Sequence, residues 1–63
     1  MSLRSFLKRR NSKRPVCLLF IIDDEVKVFW YDSEQLDNIE EEYLKMEVMD
    51  YTKEYDCTEI WLK

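Results

Sequence analysis

Seven apolar residues, Val16 to Ile22 (VCLLFII), follow one another without interruption in a chain of 63 residues. A strand with one wet face alternates, so an unbroken run of this length marks a central strand flanked by neighbours and raises the question of what covers each of its faces. It is too short to cross a membrane, which takes roughly 20 apolar residues. Pro15 precedes it, where a missing N–H does least harm to a ladder. Asp23-Asp24-Glu25 then reads as a tight turn, aspartate being tolerant of the left-handed conformation that hairpins need where glycine is absent. Residues 26–31 form the second strand, with Val26, Val28 and Trp30 on one face and Lys27, Phe29 and Tyr31 on the other.

Asp32 with Gln35 makes a capping-box pattern, and Leu36, Ile39, Tyr43 and Met46 make a single helical stripe after it. Val48, Met49, Tyr51 and Tyr55 read as a continuation with a shifted stripe or as a separate short segment. Residues 57–63 (CTEIWLK) alternate as a closing strand, Thr58, Ile60 and Leu62 against Cys57, Glu59 and Trp61. The order β-β-α-β predicts an α+β domain over 15–63. A strand–helix–strand crossover returns parallel to its start, which places the first strand centrally, in sheet order 2-1-3 with all neighbours antiparallel. One main helix packs on one face of this three-stranded sheet. Cys17 and Cys57 then lie at opposite ends of adjacent strands, as two small buried apolar residues and not a disulfide.

Charge divides the chain sharply. Residues 1–14 carry Arg4, Lys8, Arg9, Arg10, Lys13 and Arg14 with no acid, whereas 15–63 carry four lysines against fourteen acids. Such asymmetry marks a basic N-terminal arm with its own electrostatic role, or an arm folded back on an acidic body. Leu3, Phe6 and Leu7 fall at helical spacing within it, a short amphipathic helix that forms only where its apolar side finds a surface. Asn11-Ser12 reads as the break after it.

Absences bound the chemistry. The chain has no histidine and no glycine, which removes the commonest general base and the glycine-rich phosphate loops together. Asp23-Asp24-Glu25 lacks the spacing and the turn glycine of a calcium loop. No catalytic residue, metal or cofactor is therefore expected, and the chain reads as a non-enzymatic binding module.

One helix covers one face of a sheet, so the other stays open. With Val28 and Trp30 turned to the helix, Phe29, Tyr31 and Trp61 lie on the open face as an aromatic interaction patch. Glu34, Asp37 and Glu41 line the outer side of the helix, a row of carboxylates that resembles in kind the charge repeat of a nucleic-acid backbone. The leading expectation is a cytoplasmic protein that binds another protein, or a second copy of itself, through these two surfaces as an inhibitor or adaptor. Small acidic binders of this size are typical of phages and mobile elements, which makes a viral protein the corresponding expectation. The alternative is a nucleic-acid-binding protein whose six arm cations contact phosphates. A membrane partner is not expected, because the arm is short and bears no lipidation motif.

Overall fold

The computed structural model describes residues 1–10 and 13–63; the predicted break at Asn11-Ser12 lies outside the described residues. It is an α+β fold built on one mixed sheet. Strands β1 (Val16–Ile22), β2 (Glu25–Tyr31), β3 (Val48–Lys53) and β4 (Thr58–Leu62) lie in the order β2-β1-β4-β3. A helix α1 (Leu3–Arg9) precedes them, and a 3-10 helix (Ser33–Asn38) with a four-residue α2 (Glu41–Leu44) separates β2 from β3.

Two corrections to the expected sheet follow from one strand. Residues 48–53 continue no helix but form β3, so the sheet has four strands, and β4 runs parallel to β1. The crossover logic itself holds. The chain leaves β2, and the next strand it enters shares that direction, because β3 is antiparallel to β4 and β4 is parallel to β1. The strand that the crossover reaches is β3, at the far edge, and the β3–β4 hairpin reverses direction once more before closing beside β1. Val48, Tyr51 and Thr52 are strand-forming residues, and their β character is realised here.

The single long helix is also corrected. Ile39 and Glu40 take extended backbone, with φ/ψ of −63°/133° and −57°/140°, and split the segment. Asp37 and Asn38 disfavour helix interiors by competing for the backbone, and an unbroken helix would set Asp37 at i,i+3 and i,i+4 from Glu40 and Glu41, a like-charge contact. The extension turns Ile39 inward, where it is buried. Leu36, Tyr43 and Met46 pack against the same core despite the break. At the start of the 3-10 helix the Gln35 side chain accepts the Asp32 amide at 3.0 Å, the reach-back half of a capping box.

The core is Leu3, Val16, Leu18, Phe20, Ile39, Ile60 and Leu62, with Phe6 and Leu7 packed against it. All the strand members sit on one sheet face, as the register requires: Val16, Leu18 and Phe20 stand beside Thr58 and Ile60 of β4. The arm helix thus contributes directly to the layer covering that face. Its N-cap Ser2 accepts the Ser5 amide on its side-chain oxygen at 3.2 Å. Ser2 also bridges Glu47, and the Met1 carbonyl accepts the Val48 amide at 2.8 Å.

Cys17 and Cys57 are both buried free thiols. With β4 parallel to β1, and Val16 beside Thr58, the two cysteines lie toward the same end of neighbouring strands, not at the opposite ends that an antiparallel pair would impose.

Candidate interaction surfaces

Register decides which side chains share the open face. The pairs Cys17–Trp30, Leu19–Val28 and Ile21–Val26 alternate with the core-facing pairs Val16–Tyr31, Leu18–Phe29 and Phe20–Lys27. Val26, Val28 and Trp30 therefore lie opposite the helical layer, together with Leu19, Ile21 and, from β4, Trp61. They remain 54%, 57% and 47% exposed for Val26, Val28 and Trp30, and 37% for Trp61. Asp50 and Glu59 border this face on the β3–β4 side, where Ile21, Met49, Asp50 and Trp61 line a groove of about 590 Å³.

The parity is thus the reverse of the expected one for two of the three aromatics. Phe29 and Tyr31 lie on the helix side of the sheet, where Phe29 is still 37% exposed, and Trp61 belongs to the open side. Phe29 stacks on Tyr43 with centroids 5.4 Å apart and planes at 26°, and Phe20 completes the group at 5.5 Å from Phe29 and 5.2 Å from Tyr43. Tyr31 is half-buried against the core; burial, then the neighbouring Tyr43 and Glu40, push its hydroxyl pKa up. The open-face residues missed by sequence reasoning are Val26, Val28 and Trp30. Their period-2 spacing was visible, but both parities of β2 are apolar enough to be the buried one.

Glu34, Asp37 and Glu41 are all exposed, yet they do not form one row. Glu34 and Asp37 ride the 3-10 helix and Glu41 opens α2 beyond the break. Glu41 is paired with Arg4 of the arm, so the arm spends one of its cations on the body. Asp37 lines a groove with Arg4, Leu7 and Lys8.

The remaining arm cations separate. Arg10 donates to the Arg14 carbonyl at 2.8 Å, and Arg14 donates to the Cys57 carbonyl at 3.3 Å. Arg9, Arg10 and Arg14 meet Lys53 of β3 around a pocket of about 490 Å³ whose other walls include Phe6 and Tyr51, rings 4.9 Å apart, and which no acid lines. Burial and the adjacent Arg14 lower the Arg10 pKa. Lys8 and Lys13 are exposed. Lys53 was not among the expected contacts, since only the β3–β4 pairing brings it to the arm.

Among the described residues no three metal-ligating side chains converge, and no helix is long and apolar enough to cross a membrane. Comparison with protein-family models, with curated proteins and with solved structures returned no match.

Proposed function

We propose that this chain is a non-enzymatic protein-binding module, an inhibitor or adaptor, whose binding surface is the open face of the sheet. The observation that carries the reading is the row Val26, Val28 and Trp30, continued by Ile21 and Trp61, left half-exposed opposite the helical layer. A contiguous apolar face on so small a domain costs solubility unless a partner covers it. Tryptophan at two of these positions suits an interface anchor, since it supplies large contact area at low conformational cost. Asp50 and Glu59 at the border favour a partner with an apolar centre and a cationic rim. Of the residues first expected to make the contact, Trp61 keeps that role. Phe29 and Tyr31 support the surface from behind, and Glu34, Asp37 and Glu41 lie apart from it, Glu41 paired with Arg4.

A second reading has its own observation. Arg9, Arg10 and Arg14 gather with Lys53 beside Tyr51, without an acid among them, which suits phosphate contacts with a nucleic acid. The two readings separate in one experiment, a tagged pull-down from host lysate with and without nuclease, run in parallel with Trp61→Ala. The protein-binding reading expects a partner recovered equally in both lysates and lost with Trp61→Ala. Recovery that vanishes with nuclease, falls steeply with salt and depends on residues 1–14 moves the function to nucleic acid.

A further inference from the structure

The two edges of the sheet are treated differently. β3 is blunted in three ways: a register break between Val48 and Asp50, charges at Asp50 and Lys53, and the N-terminal residues laid across its start through the Ser2–Glu47 bridge. Among the described residues β2 has neither the register break nor the added bridge. Its seven residues keep continuous register with β1, contain no proline, and carry only Glu25 and Lys27 as charges, which neutralise each other at 3.1 Å.

The turn tells which backbone groups that edge offers. Asp23 and Asp24 both have positive φ, 53° and 65°, the conformation of a two-residue hairpin turn. Such a turn closes on a hydrogen-bonded pair, here Ile22 and Glu25. In an antiparallel ladder bonded and non-bonded pairs alternate. Lys27, Phe29 and Tyr31 therefore bond β1, while Val26, Val28 and Trp30 turn their N–H and C=O groups outward. These are the same residues whose side chains are exposed on the open face.

We propose that the β2 edge pairs antiparallel with β2 of a second copy, Val28 opposite Val28, joining two four-stranded sheets into one of eight strands. This extends the protein-binding reading, on which it rests: the strand edge takes the second copy and leaves the Trp61 face to the other partner. A two-fold axis at Val28 pairs all seven residues of the strand with their counterparts. It sets Val26 against Trp30 and Lys27 against Phe29, and matches the outward groups of residues 26, 28 and 30 in about six hydrogen bonds. An axis at Lys27 would place two lysines face to face. An axis at Phe29 would leave Glu25 and Val26 opposite Ser33 and Asp32, outside the strand. Because the axis is normal to the sheet, the two rows of Val26, Val28 and Trp30 merge on one side, giving the β-branched–aromatic cross-strand pairs that stabilise sheets. An interface made of paired edges is small, so its dissociation constant should fall on the order of tens of micromolar.

Sedimentation velocity from about 2 to 300 µM tests this on four chains: wild type, Val28→Pro, Trp61→Ala, and a synthetic chain N-methylated at the Val28 amide. The Val28 N–H makes no bond to β1, so blocking it spares the hairpin, and circular dichroism at the lowest concentration checks that each chain is folded. Wild type and Trp61→Ala should dimerise alike, while both chains blocked at residue 28 stay monomeric throughout. A wild type that is monomeric at the highest concentration overturns the inference, as does an N-methylated chain that dimerises normally. A dimer that survives N-methylation but is lost with Trp61→Ala joins the copies face to face; the edge pairing then fails and the protein-binding reading stands. A monomeric wild type whose Trp61-dependent partner persists in the pull-down has the same meaning.

Discussion

Leu3 donates its amide to the carbonyl of Met46 at 2.8 Å while its own side chain is completely buried. The basic arm is thus fastened to the body by backbone and core at once. Leu3→Ala should cost about 2–5 kcal/mol, the range for a buried leucine. Removing residues 1–9 should lower the denaturation midpoint further and produce aggregation, since the core-facing side of the sheet loses its cover. Urea denaturation of the two variants checks this. A deletion as stable and as monodisperse as the full chain would mean that the arm is an appendage.

The face assignment has a direct consequence for stability. Phe29 lies in a stack with Tyr43 and Phe20, whereas Trp30, the next residue, points to the opposite side. Phe29→Ala should therefore couple to Tyr43→Ala by about 0.5–1.5 kcal/mol in a double-mutant cycle. Trp30→Ala should show no coupling to Tyr43→Ala. Equal coupling for both would contradict the register of β1 with β2.

The turn stores strain that substitution should release. Asp23 and Asp24 occupy left-handed conformations costing about 1–2 kcal/mol per residue for an ordinary side chain. Replacing the pair with Asn-Gly, the residues that this turn type favours, should stabilise the protein by about 1 kcal/mol and raise Tm, as calorimetry would report. No change, or a loss, would count against a two-residue turn at this place.

Alkali should destabilise the fold through its buried thiols. Burial, then the nearby Glu59 and Asp56, raise the Cys17 thiol above its ordinary value of 9.0. Burial, then Asp56 and Cys17, do the same for Cys57. A thiol that holds its proton longer when folded gives stability that is complete below 9.0 and is lost as pH rises beyond it, because the unfolded chain ionises first. Tyr31, raised from 10.0, extends the loss upward. Denaturation between pH 7 and 10.5 should show a plateau and then a fall. The fall should shrink in the variant carrying Cys17→Ala with Cys57→Ala.

Much of this architecture is legible in the residues, and the rest is hidden for physical reasons. The unbroken run Val16–Ile22 announces a strand with neighbours on both sides, and β2 and β4 do flank it. Leu3, Phe6 and Leu7 announce one apolar side of a short helix, which is the side that packs. What the sequence conceals is β3, whose Val48, Tyr51 and Thr52 are interrupted by a bulge that destroys the period, so that the segment also fits a helix. That one missed strand reverses β4 and relocates the cysteines. The open face is concealed differently. Val26, Val28 and Trp30 are as apolar as Phe29 and Tyr31, and only the packing of Phe20 and Tyr43 on Phe29 decides between them.

Amide hydrogen exchange resolved by residue, at about 5 µM and again at about 300 µM, probes the β2 edge most directly. At the low concentration Lys27, Phe29 and Tyr31 should be protected by β1, while Val26, Val28 and Trp30 exchange quickly. At the high concentration those three amides should become protected together, with little change at Asp50 or Tyr51 on the opposite edge. Exchange at Val26, Val28 and Trp30 that stays equally fast at both concentrations would contradict pairing at this edge.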